Sequence, residues 1–164
     1  MTRRTTTIAV LGADDVARLR EVRLAALRQE PAAFLSTFDQ QVTWSEDEWT
    51  RELGRGTWLV AEDRGSDVGL LGATPEDDIP REDRYASYMW VRPDRRREGI
   101  GTLLLETLID RLRADGVPCL WLWVMDDNPN ALRLYEGAGF RLTGDRQPLA
   151  ADPTRHEVRM VRRL

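Results

Sequence analysis

The sequence predicts an α/β fold in a single domain, and three features carry that expectation. A chain of 164 residues is the size of one domain and can bury a substantial core. Strand-like and helix-like segments alternate in the order strand, two helices, three strands, helix, strand, helix, two strands. A glycine-containing turn in the second half runs from a strand directly into an apolar helix. No internal repeat, low-complexity linker or second domain interrupts the chain.

The elements follow in order. Thr5 to Leu11 is rich in β-branched residues and stops at Gly12, as a first strand would. Asp14 can cap a helix reaching Glu30 before Pro31, with Val16, Leu19, Val22 or Leu24, and Leu27 at helical spacing. Ser45-Glu46-Asp47-Glu48 has the form of a capping box for a second helix, to Leu53 and Gly54. Thr57–Glu62 and Val68–Ala73 flank the turn-rich Asp63-Arg64-Gly65-Ser66-Asp67, which predicts an antiparallel hairpin. An acidic loop from Pro75 to Asp83 leads to a strand at Tyr85–Arg92. Leu103, Leu104, Ile109 and Leu112 give a helix over Thr102–Ala114 one buried face, and Gly116-Val117-Pro118 ends it. Cys119–Met125 reads as an aromatic strand, Pro129–Gly137 as a short helix, and Phe140–Thr143 and Glu157–Val161 as the last strands.

Composition narrows the function. Residues are 41% hydrophobic and 32% charged, ordinary for a soluble globular protein. No apolar run approaches a membrane span, and the Thr-rich start lacks the apolar core of a signal peptide, so the expected compartment is the cytoplasm. Cys119 and His156 are the single cysteine and histidine, which excludes an intrachain disulfide and Cys-rich or His-rich metal sites. All 24 basic residues are Arg. A net charge of −4 argues against a general nucleic-acid surface.

Two motifs carry the chemistry. The first is Val91-Arg92-Pro93-Asp94-Arg95-Arg96-Arg97-Glu98-Gly99-Ile100-Gly101. A strand, a glycine turn and a helix start place unpaired backbone N–H groups and a partial positive charge where an anionic phosphate can sit. Glycines at 99 and 101 let those amides approach a ligand without a Cβ in the way, although glycine pairs at such turns also serve packing. The Gly-Lys-Ser/Thr ending of a nucleotide-triphosphate loop and the third glycine of a dinucleotide fold are both absent. Arg95, Arg96 and Arg97 are each either a phosphate contact or a solvated charge. The second motif runs from Asn128 to Phe140 and reads Asn-Pro-Asn-Ala-Leu-Arg-Leu-Tyr-Glu-Gly-Ala-Gly-Phe. Asn128 and Pro129 suit the N-cap and first turn of a helix. Tyr135 then lies on that helix, either packed on the sheet or serving as a proton donor.

Together the motifs resemble those of the GCN5-related N-acetyltransferase family, whose signature of Arg/Gln-x-x-Gly-x-Gly/Ala, Asn-x-x-Ala and Tyr falls on Arg96, Gly99, Gly101, Asn128, Ala131 and Tyr135. The resemblance implies the acetyltransferase fold, a single mixed, mostly antiparallel sheet flanked by helices. It implies acetyl-coenzyme A as co-substrate, held by Trp90, Val91, Arg96, Arg97, Glu98, Gly99, Ile100, Gly101, Thr102 and Asn128, with no metal. It implies direct attack by an amine on the thioester, with an N–H of the Tyr85–Arg92 strand, that of Val91, on the carbonyl oxygen and Tyr135 on the departing thiolate. Relatives that acetylate peptide N-termini carry a Glu base where this chain has Trp123, and some histone-acetylating ones a Glu where it has Tyr85. The base is thus unassigned, with Glu82 and Asp83 the nearest acidic candidates. Trp121 and Trp123 face one side of their strand, as core packing would have them. As aromatic faces, Tyr85 and Trp123 instead suggest a small-molecule primary amine as acceptor, drawn in by the acidic loop. No nucleic acid or membrane partner is expected, and the chain is expected as a monomer or homodimer. Alternative readings are a non-catalytic acyl-coenzyme A sensor and a peptide N-terminal acetyltransferase.

Overall fold

The computed structural model describes residues 6–164, so Thr5 of the expected first strand lies outside the described residues. One seven-stranded sheet runs through the molecule in the order β1-β2-β3-β4-β5-β7-β6. Its strands are β1 (Thr7–Val10), β2 (Thr57–Asp63), β3 (Ser66–Thr74), β4 (Arg84–Val91), β5 (Cys119–Met125), β6 (Arg141–Pro148) and β7 (His156–Arg163). Only β4 and β5 pair in parallel; every other neighbouring pair is antiparallel. The sheet is therefore mixed and mostly antiparallel, as expected.

Among the described residues five α-helices flank it: α1 (Val16–Gln29), α2 (Phe38–Val42), α3 (Glu46–Gly54), α4 (Ile100–Ala114) and α5 (Pro129–Gly137). Local chemistry sets their ends. Ser45 accepts from the Glu48 amide while the Glu48 carboxylate accepts from the Ser45 amide, so the capping box forms and α3 starts after it. Thr37 and Gln40 build a second box that opens α2, a helix too short for apolar periodicity to reveal. The β2–β3 hairpin closes on Arg64 and Gly65, both at positive φ, the two-residue turn whose twist suits an antiparallel pair. β6 extends well beyond its expected span, because the residues from Arg146 to Pro148 continue the ladder with β7, and β7 runs on to Arg163 beside β5.

The strands bury side chains on two faces. Leu59, Leu71, Leu120 and Leu122 pack with Leu104, Leu105 and Leu108 of α4. Trp58, Val60, Leu70 and Trp90 pack on the other face with α1 and α3. Alternation along β5 buries Leu120, Leu122 and Val124, so Trp121 and Trp123, which core packing would have buried, stand half-buried on the opposite side.

Two irregularities position the site. β4 meets β5 only at Arg84–Leu120 and Tyr85–Trp121, after which the strands part. Beyond that point Tyr85 fills in for a partner strand, its hydroxyl accepting from the Trp123 amide at 3.3 Å. A bulge also interrupts β4, since Trp90 pairs with Leu70 but Ser87 with Gly72, leaving Tyr88 and Met89 opposite Leu71 alone. Tyr88 takes a φ of 62° at the bulge, a conformation that costs a residue with a side chain about 1–2 kcal/mol.

Candidate active site

The parting of β4 and β5 opens a cleft of about 1370 Å³. Its walls come from β4 (Tyr85–Val91), β5 (Trp123–Met125), the first turn of α4, the start of α5 and the segment Phe34–Ser36. Of the residues expected to hold a coenzyme, Trp90, Val91, Arg96, Arg97, Gly99, Ile100, Gly101, Thr102 and Asn128 line it. Tyr85, Trp123 and Tyr135 line it as well. Glu98 does not: its carboxylate accepts from Arg95 Nε and Nη2 and turns away.

The turn before α4 has the geometry to hold an anion. Arg97 and Gly99 both take positive φ, 62° and 82°, folding the chain so that successive amides face one concavity. The Gly99 carbonyl accepts from Leu103, and the amides of Ile100, Gly101 and Thr102 precede the first helical bond and lack an intrahelical partner. Three adjacent arginines differ in availability. Arg95 pairs with Asp63 at 2.7 Å and with Glu98 at 2.9 Å. Arg96 pairs with Glu30 at 2.6 Å and donates to the Val91 carbonyl. Arg97 is exposed, lines the cleft and makes no ion pair among the described residues. The turn thus offers a cradle of amides and, of its three arginines, one guanidinium without an ion pair among the described residues.

The edge of β4 supplies further donors. Arg92 donates to Val68 of β3, and neighbouring N–H groups along a strand point to opposite edges. The Val91 amide thus faces the cleft. Met89, bulged out of register with β3, lies two residues back on the same edge.

Tyr135 sits at the throat. It is 8% exposed, edge-on to Phe140 with ring centroids 5.7 Å apart, and its hydroxyl makes no hydrogen bond among the described residues. Burial, then the nearby Tyr85, lifts its phenol well above the ordinary range. Burial likewise pushes Tyr85 up to about 12. Both are protonated at neutral pH. Asn128 caps α5 by accepting from the Ala131 amide at 3.1 Å.

The acidic candidates rearrange. Asp83 is buried and accepts from Trp121 Nε1 at 2.7 Å, while Glu82 is exposed and neither lines the cleft. Three carboxylates that no motif marks do line it: Glu52, Glu157 and Glu30, which is paired with Arg96. Glu157 faces Met125 across the β5–β7 ladder, next to the Trp123–Arg159 pair. Opposed residues share a face, so Glu157 stands one strand over from Trp123. Gln147 donates to its Oε1 at 2.6 Å. The sequence placed Glu157 at a strand start but offered no spacing that would single it out. Among the described residues, no group of three or more His, Cys, Asp and Glu could hold a metal ion.

The acetyltransferase (GNAT) family model matches residues 21–140. The [ribosomal protein bS18]-alanine N-acetyltransferase of Escherichia coli is 52% identical over 50 residues, 30% of this chain and 34% of that one. A mycothiol acetyltransferase of Propionibacterium freudenreichii is 31% identical over 148 residues, 88% of this chain and 46% of that one. In these matches the chain spans a third to a half of the relatives' length. The crystal structure of the E. coli ribosomal-protein-S18-alanine N-acetyltransferase superposes with a TM-score of 0.69 at 26% identity, covering 96% of this chain and 93% of that one.

These findings correct the expected small-molecule acceptor. A relative that is similar in both sequence and solved structure is a ribosomal-protein-S18-alanine N-acetyltransferase. Of the two aromatic faces that suggested a small cation, Tyr85 and Trp123, that of Trp123 is moreover taken. The Arg159 guanidinium lies 4.8 Å from the Trp121 ring and 5.5 Å from the Trp123 ring. Glu76 and Asp78 of the acidic loop are paired with Arg55 and Arg159.

Proposed function

The chain belongs to the acetyltransferase (GNAT) family, and from that premise we propose that it transfers the acetyl group of acetyl-coenzyme A to the α-amine of a polypeptide N-terminus. The observation that carries this reading is the open cleft between parted β4 and β5, with an anion cradle at one end and Tyr135 at its throat. A strand edge with unpaired N–H groups suits an extended chain or a pantetheine arm, both of which present amides in a row. The ribosomal-protein relative supports a protein acceptor. A cytoplasmic site of action goes with that reading, since new N-termini arise there; no helix among the described residues is long and apolar enough to cross a membrane.

The coenzyme brings the acetyl group as a thioester. The amides of Ile100, Gly101 and Thr102, with Arg97, hold its diphosphate, and the Asn128 side chain caps α5 beside it. The β4 edge at Val91 and Met89 donates to the thioester oxygen as negative charge develops there, without reorganisation at that moment. Glu157 accepts the proton that the attacking amine must shed, in place of the carboxylate that Trp123 displaces. As the C–N bond forms and the C–S bond breaks, Tyr135 donates its hydroxyl proton to the sulfur, a task for which a protonated phenol is suited. Holding the amine beside the thioester supplies much of the remaining rate gain.

The test is a panel of peptides with free N-terminal Ala, the same peptides blocked at the N-terminus but carrying an internal Lys, and small amines including aminosugars. Coenzyme A thiol release should be fastest with the free N-termini. Faster turnover of the blocked peptides or of the small amines would overturn the proposal.

A further inference from the structure

Arg23 is 1% exposed on α1, yet it lines the cleft together with Phe34, Glu52 and Tyr88. Its guanidinium is sandwiched between Tyr88, 3.6 Å from the ring centroid, and Phe34, at 4.4 Å. The two rings cover its faces and leave its N–H edge. Of that edge only Nε is used, donating to Gln41 Oε1 at 2.9 Å; Nη1 is buried with no hydrogen-bond partner among the described residues. Glu52, a carboxylate of the same pocket, is committed to the Tyr88 hydroxyl at 3.0 Å and to Arg55 at 3.2 Å, and makes no ion pair with Arg23.

This is a poor arrangement for a purely structural residue. A charge taken out of water needs a counter-ion and filled hydrogen bonds, and an apolar side chain of similar volume would pack there without that penalty. Burial draws the Arg23 guanidinium down to about 10, against the opposing pull of Tyr88 and Glu52, so it still carries its charge at neutral pH. The rigid, pre-stacked fork with unused N–H donors matches the two oxygens of a carboxylate.

We propose that Arg23 is the acceptor subsite for a carboxylate, selecting polypeptide N-termini that carry an acidic side chain a few residues after the amine. The proposal rests on the reading of the acceptor as a polypeptide. Tyr88 lies three residues along β4 from Val91, whose amide faces the thioester, at most roughly 10 Å at ~3.3 Å per residue. That is the reach of about three residues of extended peptide, which puts the acidic side chain at about the second to fourth position. Leu35, 67% exposed on the same rim, would be covered as the peptide passes.

The experiment compares free-amine peptides starting with Ala that carry Asp or Glu at positions two to four with matched Asn or Gln peptides. Turnover is followed, together with calorimetric binding to the coenzyme A complex, where no reaction occurs. In the unaltered protein the acidic peptides should show KM and Kd lower by roughly 10- to 100-fold, the scale of a charge-assisted, two-pronged contact. In Arg23→Met that ratio should collapse toward one, while Arg23→Lys, which keeps charge but not the fork, should retain part of it; melting curves establish that both variants fold. Equal binding of acidic and amide peptides by the unaltered protein would overturn the proposal even if neither variant folds, and so would an undiminished ratio in a folded Arg23→Met. Peptides acetylated without acidic preference would sink the subsite and leave the function standing. Tighter binding of acidic peptides without acetylation would do the reverse.

Discussion

Tyr135 and Arg97 are the residues at which the site is most exposed to single changes. Tyr135→Phe removes one hydroxyl that bonds to nothing else among the described residues, so packing against Phe140 is retained. Turnover should fall about 10- to 1000-fold, the range for a lost proton donor, while coenzyme affinity and melting temperature stay near the starting values. Full activity in the Phe variant would reduce Tyr135 to a packing residue. Neighbouring arginines should separate in the same way. Arg97→Ala should weaken coenzyme A binding roughly 5- to 30-fold by losing a charge-assisted contact, and less so at high salt. Arg95→Ala should leave affinity nearly unchanged but lower the melting temperature, because Arg95 ties Asp63, 8% exposed at the side chain, to the turn. Titration calorimetry beside melting curves reads both effects. The sequence offered three equivalent arginines; the folded chain assigns two of them to Asp63, Glu98 and Glu30.

Among the elements, α4 concentrates function at its first turn. A Cβ on Gly101 would stand 3.5 Å from Leu134 and 3.8 Å from Val91, ordinary contacts. Gly101→Val should therefore fold, with its extra methyl groups filling the channel between α5 and β4 that the coenzyme needs. Affinity should drop by about 10-fold or more, on the scale of an overpacked site, and calorimetry returning an unchanged affinity would remove the turn from the binding site. Helix and strand starts of this kind were legible because caps and glycines act within a few residues. The capping box of α3 and the bounds of β5 and α5 match their expected positions. The bulge in β4 was not legible, since no glycine marks it and Tyr88 accepts positive φ only because Trp58, Arg23 and Glu52 hold its ring and hydroxyl. Arg23 itself left a trace, a charge in the apolar stripe between Leu19 and Leu27 of α1.

At the scale of the whole molecule, the proton path sets the pH response. An α-amine is free to attack only when deprotonated, near ~8 and above, so kcat/KM should rise through that region. The falling limb reports loss of the proton on Tyr135. Burial raises that phenol above its ordinary ~10, so activity should persist past pH 10 rather than decline there. A decline that begins below pH 9 and survives in Tyr135→Phe would assign it to another group. Glu157→Gln should depress turnover most on the acidic side, where a proton acceptor matters most. An unchanged profile would take Glu157 out of the path.

The sequence by itself determined the alternation of strands and helices, the glycine turn that opens α4, the cap of α5 and the place of Tyr135 on it. Those depend on side-chain period and on backbone groups a turn away. Only the tertiary structure decided which charges are free, because pairs such as Arg96–Glu30 and Arg159–Asp78 join residues 66 and 81 positions apart. It also decided that Trp121 and Trp123 turn from the core toward Arg159, and that Arg23 and Glu157 reach the cleft. A strand's alternation fixes two faces but not which one is buried; that choice belongs to the elements packed against it.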